Sequence, residues 1–138
     1  MTKSIVSAMT QIQTVARSLT GIKSAPAQVT DSTSAFPFVI TFPRRVESTA
    51  QNTFDKSVFT VFTEIHVARG IVGDAIVTGA GLYEDLRDAL NADPTLAATV
   101  DTIVYPIVAT FGELEWGTPA VKTVGWRLEI TFKINTPD

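Results

Sequence analysis

Ile5, Met9, Ile12, Ala16 and Leu19 recur at spacings of 4, 3, 4 and 3, which puts them on one face of a helix. This predicts an N-terminal helix over about 2–20, with Thr2 at its start and Gly21 as the stop signal. Residues 23–35 (KSAPAQVTDSTSA) are small and polar around Pro26 and read as a flexible loop or extended arm. FPFVITFP, 36–43, is aromatic, β-branched and bounded by prolines, the mark of a short strand. Residues 43–56, PRRVESTAQNTFDK, are polar and charged, and predict a second flexible loop longer than a hairpin needs. In SVFTVFTEIHVAR, Phe59, Val61, Ile65 and Val67 share one face of a strand, while Val58, Phe62, Glu64 and His66 share the other. The second face turns polar along its length, so Glu64 and His66 are expected at the wetter end, with Arg69 pointing the opposite way.

After Gly70 the period changes. Ile76, Ala80, Tyr83, Leu86 and Leu90 repeat at helical spacing, predicting a second helix over about 74–91 with Asp74 as its N-cap. Gly79 and Gly81 leave two readings of its start. Either the helix begins near Gly81, or the glycines let it pack closely on the sheet. In NADPTLAAT, Asp93 and Pro94 suggest a capped single turn. Residues 101–116 read as a strand that Pro106 marks as an edge, a bulge or a break. Over about 123–135, Val124, Trp126, Leu128, Ile130, Phe132 and Ile134 alternate without a miss, which is a half-covered antiparallel strand. The order α–β–β–α–β–β predicts a single α+β domain. Its sheet, antiparallel or mixed, has about four main strands, with two helices packed on one side.

Composition narrows the chemistry. The chain of 138 residues is 45% hydrophobic and 18% charged, enough to build one packed core. It holds no cysteine and one histidine, so disulfides, thiol nucleophiles and Cys- or His-rich metal sites are not expected. No apolar run is long enough to span a membrane. The net charge of −3 is unevenly spread. Residues 1–30 carry three bases and no acid, residues 31–69 balance, and residues 70–138 hold ten acids against four bases. Such polarity gives no support to nucleic-acid binding, which needs a clustered basic face. It suits a molecule that meets a copy of itself head to tail.

Four features invite a chemical reading. Glu64 and His66 could form a base and its orienting acid, but no nucleophile elbow accompanies them, and a hydrogen-bonded surface histidine is the simpler expectation. Glu113 and Glu115 could hold a cation, yet FGELEWG offers no further ligands and reads as a solvated edge. Glu84, Asp85 and Asp88 fit the exposed face of the second helix. GIVGDA and GAG match neither the dinucleotide nor the Walker pattern. No catalytic residue, cofactor or metal is expected.

LYEDLRDALNADPTLAATVD, 82–101, follows a strand ending at Arg69 and precedes an apolar strand pair closing in GWRLEITFKIN. This arrangement resembles the tail terminator (tail completion, head–tail joining) proteins of long-tailed bacteriophages, and the element order covers nearly the whole chain. The resemblance implies an α+β subunit of a homo-oligomeric ring, hexameric in the family. That ring caps the head-proximal end of the tail tube, stops polymerisation of the tube protein and meets the head connector protein. It also implies a place in the neck of the virion, in a protein made in the host cytoplasm, with no cofactor. Arg44, Arg45 and Glu47, clustered in the long polar connection, and Arg69 are the expected subunit or ring contacts. Two other readings stay open: a neck ring protein that binds the portal, and a small-molecule module with a pocket lined by Phe59, Trp126 and Phe132.

Overall fold

The computed structural model describes residues 3–29, 35–51, 54–117 and 120–134. The chain runs α1 (Ile5–Arg17), β1 (Phe38–Gln51), β2 (Phe54–Val67), α2 (Val72–Ala92), β3 (Thr102–Trp116) and β4 (Val121–Ile134). The four strands form one antiparallel sheet in the order β1-β2-β4-β3. Ala8, Ile12 and Ala16 of α1, with Leu82, Leu86 and Leu90 of α2, share a core with the alternating sheet residues Val61, Ile65, Leu128, Ile130 and Phe132. Both helices therefore cover one face of the sheet, and the domain is α+β as its sequence pattern predicts.

The helices begin where local chemistry starts them. Ser4 caps α1 by accepting the Ser7 backbone N–H at 3.0 Å, a role assigned above to Thr2, which lies outside the described residues. α2 begins at Val72 without any side-chain cap, and Asp74 sits inside its first turn, where its charge suits the helix dipole. Gly79 and Gly81 lie within this helix and do not start it. Gly79 is buried, with its missing Cβ position 3.6 Å from Trp126 Cδ1, so the indole of β4 fits against bare helix backbone. Tyr83 stacks on the other side of the contact, 4.8 Å from the Trp126 ring. As a result the buried stripe enters through Ala75, Gly79 and Leu82. The expected line through Ile76 is displaced, and Ile76 is left 45% exposed.

The connection expected over 43–56 is not a flexible loop. Arg45 pairs with Thr60, Glu47 with Val58, and the ladder continues to Gln51 opposite Phe54. The last pair joining β2 to β4 is Ser57 with Ile134, so this two-stranded arm extends beyond the rest of the described sheet. A ladder is built from backbone groups, and a polar, Thr- and Val-containing segment can extend one without an apolar face. Of the other connection, residues 23–26 are pinned to the fold. Ser24 bridges to Phe38, and Gln13 and Arg17 donate to the carbonyls of Pro26 and Ala25 at 2.8 Å each. Residues 30–34 lie outside the described residues.

The turn after α2 is left-handed. Leu96, Ala97 and Ala98 have φ of 48°, 53° and 63°, where a Cβ crowds the following carbonyl. Asp93 holds the turn by accepting the Ala97 N–H at 2.8 Å, and Leu96 is buried beneath it. The capped single turn read from Asp93 and Pro94 thus forms with Asp93 as its cap, but with a left-handed backbone.

Both outer strands are interrupted at a proline. β1 shifts register between Pro43 and Arg45, and β3 between Val104 and Val108, around Pro106. Proline and bulges on outer strands blunt their tendency to pair with other chains. At the other end, Gly112 of β3 lies opposite Gly125 of β4. A Cβ on Gly125 would stand 1.7 Å from the Ile65 carbonyl oxygen, so only glycine permits the approach. Beyond this pair the end of β3 and the start of β4 curl over the face away from the helices. Trp116 of β3 stacks on Phe42 of β1 at 5.5 Å, although in a flat sheet three strand spacings, about 14 Å, and a further eight residues along the ladder would separate them. The curl buries Leu114 and Thr123 above Phe38 and Ile40.

Candidate functional site

His66 and Glu64 lie under that curl, fully buried. The surface histidine expected from the polar end of β2 is therefore corrected. Strand alternation does place both residues on the face away from the helices, but the curled end of β3 and start of β4, with Leu114 and Thr123, cover that face. His66 Nε2 lies 2.8 Å from Glu64 Oε1, and its Nδ1 lies 2.6 Å from Thr123 Oγ1. Phe38 stacks on the imidazole at 4.4 Å and 7°. Arg127, one strand over on β4, donates through Nε and Nη2 to Glu64 Oε2 at 2.7 and 2.6 Å. Both ring nitrogens thus have an oxygen partner, Glu64 Oε1 at Nε2 and Thr123 Oγ1 at Nδ1.

Burial alone would raise the Glu64 pKa. The hydrogen bonds and charges of His66 and Arg127 outweigh it and hold the carboxyl below its ordinary value. Hydroxyl, imidazole and carboxylate thus stand in the order of a nucleophile relay, yet Thr123, His66 and Glu64 are each no more than 1% exposed. No substrate atom has a path to Thr123 Oγ1 in this arrangement. What the network does is satisfy every member of a buried polar cluster while tying β2 to β4 beneath the curl.

The remaining acidic clusters are solvated. Glu113 and Glu115 are exposed, and Glu113 meets Arg69 at 3.7 Å and Lys122 at 3.8 Å. Glu84, Asp85 and Asp88 are exposed along α2. Among the described residues no group of three His, Cys, Asp or Glu is placed to hold a metal ion, and no helix is long and apolar enough to cross a membrane. Phe59 and Phe132 pack against each other at 5.6 Å inside the core and, with Trp126, border neither of the two surface grooves described here.

Of the expected contact residues, three come together. Arg44 lies at the β1 bulge, 3.5 Å from Glu129 and over the Phe62 ring, while Arg45 pairs with Glu47 on the same strand. All are well exposed, where such pairs contribute little stability. Arg69 is elsewhere. It follows the end of β2, six residues along the ladder from the partner of Pro43, or about 20 Å.

Two surface features escaped the pattern of the sequence. One is an apolar groove of about 280 Å³ on the β1 side, bordered by Val6 and Met9 of α1, Val29, and Phe42 and Pro43 of β1. The other is the start of α2, where Ile71, Val72, Ile76 and Val77 are 73%, 58%, 45% and 74% exposed. Their signal was present in part, since Ile71 and Val72 precede the predicted helix and Val77 falls off its stripe. A second, more polar groove of about 320 Å³ lies against β3 between Thr110 and Leu114, with Arg127 at its floor. Compared with protein-family models the chain matches none, and no curated protein matches it.

Proposed function

We propose that this chain is the subunit of a homo-oligomeric ring that terminates the tail tube of a long-tailed bacteriophage. The ring caps the head-proximal end of the tube, halts addition of tube protein and presents its other side to the head connector. The observation that carries the reading is the exposed start of α2. Four aliphatic residues stand in solvent there, with a largely apolar groove on a different element. Unlike patches on one chain suit a heterologous contact, and such contacts close into rings where the rotation between copies closes. The element order and the phrase LRDALNADPTL (86–96) supply the phage assignment by resemblance. The basic start and acidic remainder of the chain fit the same head-to-tail arrangement.

The test is polymerisation of a phage tail tube protein with and without this protein, followed by negative-stain imaging. Short tubes bearing a ring at one end are expected. Tubes of unchanged length without end rings would overturn the reading, and rings that instead bind the portal would move the protein to the neck.

A further inference from the structure

We propose that the curled end of β3 and start of β4 form a hinged flap, latched onto the sheet by His66 and released when Glu64 takes up a proton. This inference is independent of the ring reading. At this end the ladder joining β2 to β4 stops at Val67 opposite Val124. Beyond it Thr123, Lys122 and Val121 pair only with Leu114, Glu115 and Trp116 of β3, which is itself an outer strand. Residues 113–116 and 121–123 therefore form a two-stranded unit, and such a unit alone is marginal in water. The bend lies at one row across the sheet, Phe38, His66, Gly125 and Gly112, whose last two members carry no side chain. Trp116 stacked on Phe42, and Leu114 buried above Phe38 and Ile40, hold the flap down by apolar contact. The buried polar tie is Thr123 Oγ1 to His66 Nδ1 at 2.6 Å.

The latch depends on Glu64, which lies 2.8 Å from the other nitrogen of His66 and also accepts from Arg127. Glu64 of β2 and Arg127 of β4 are the charged groups that face His66. β1 and β3 face it with Phe38 and Leu114, which do not titrate. Glu129, two residues beyond Arg127 on the same face, is engaged by Arg44, and Glu113 meets Arg69 and Lys122 at the exposed edge of the flap. Both helices pack on the opposite face. One carboxylate thus stands between two basic side chains. Once protonated it supplies an anion to neither, and imidazole and guanidinium are left together in a site closed to water. At such a pH a hydrated imidazole is a cation, so lifting the flap solvates it. Arg127 gives the proton its way in, since its side chain is 44% exposed and floors the groove against β3. The latch is intact above the ordinary carboxyl value and is lost as the pH falls through the lower, folded one.

Amide hydrogen exchange in the full chain tests this, read as protection factors at neutral pH and at about pH 4. The hydrogen-bonded amides of 114–116 and 121–123 should lose protection roughly 10-fold or more at the lower pH, while those of the buried Ile65 and Ile130 keep theirs. Return to neutral pH should restore the flap. A flap and core that lose protection together would make the change global unfolding and overturn the proposal. A flap that does not respond to pH overturns it as well. In Glu64→Gln the flap should be equally protected at both pH values, and a wild-type response there removes the carboxylate as trigger. Thr123→Val should open the flap at neutral pH to about the level the wild type reaches in acid, and Thr123→Ser, which keeps the hydroxyl, should hold it closed. Equal protection in Thr123→Val and wild type would show that His66 is not the latch. Should Glu64→Gln not fold, the wild-type pH series and the two Thr123 variants decide by themselves.

Discussion

Glu64 keeps its charge without access to water because its two oxygens are divided between two partners. Oε1 faces His66, Oε2 faces Arg127, and the Arg127 guanidinium also lies 4.7 Å above the Phe62 ring. Folding therefore lowers the Glu64 pKa from its ordinary 4.5, and the unfolded chain binds that proton more tightly. The stability this contributes is complete above the ordinary value and is lost as the pH falls through the folded one. Urea midpoints should decline on acidification below about pH 4.5. The Glu64→Gln variant should lose that part of the slope and be less stable at neutral pH by about 1–3 kcal/mol. A variant with the wild-type acid profile would show that the carboxylate does not drive it. Trp126 gives a second residue-scale expectation. Its Nε1, buried beside Gly79, has no hydrogen-bond partner among the described residues. Trp126→Phe removes an unsatisfied donor along with some ring contact, so its cost should stay below about 2 kcal/mol, less than the ~3–5 expected of a full aromatic truncation. Thermal unfolding of the two proteins decides this.

At the scale of elements, the curl of the β3–β4 hairpin sets what is buried on the far face of the sheet. It depends on one member of the Gly112–Gly125 pair much more than the other. The Cβ of Gly125→Ala would enter the Ile65 carbonyl, whereas nothing lies within 4 Å of a Cβ on Gly112. Gly125→Ala should cost about 3 kcal/mol or more, at the upper end of overpacking. Gly112→Ala should stay within about 0.5 kcal/mol of wild type. Equal midpoints for the two variants would remove the curl from its proposed dependence on Gly125. The left-handed turn after α2 provides the opposite kind of change. Ala98 is exposed at a φ of 63°, so Ala98→Gly should relieve strain and gain up to about 1 kcal/mol. A lower midpoint would show that the turn is not strained there.

At the scale of the whole molecule, charge and shape act together. The acid-free N-terminal segment forms α1 and part of the groove, and most of the acids fall on α2 and later elements. Exposed charges are screened over about 10 Å at 0.1 M salt and about 3 Å at 1 M. If the proposed ring forms through these charges, its native mass should fall as salt rises through this range, while the unfolding midpoint of the monomer changes little. Assembly that strengthens with salt would instead place the whole contact on its apolar residues. The register shifts at Pro43 and around Pro106 blunt both outer strands, so the proposed ring would have to form through side-chain patches.

Periodicity carried much of the fold. The 3.6-residue repeat of Ile5 to Leu19 and the alternation of Val124 to Ile134 each bury one face, and a one-sided burden of apolar groups has few ways to leave water. Single-chain patterns also placed Glu64 and His66 together on one face of β2, because alternation is local. The cover over that face came from Leu114 and Thr123, 48 and 57 positions after His66, through a close approach that Gly125 allows. Thr123 and Arg127 joined the network through strand register, which no repeat in one strand encodes. The polar run 43–56 became a ladder because backbone pairing does not depend on an apolar stripe. Ile76 was turned outward because a missing side chain at Gly79 let Trp126 approach on the neighbouring line of the helix. Local spacing decided which segments were helix and strand; contacts between distant residues decided which groups were sealed and which were left exposed.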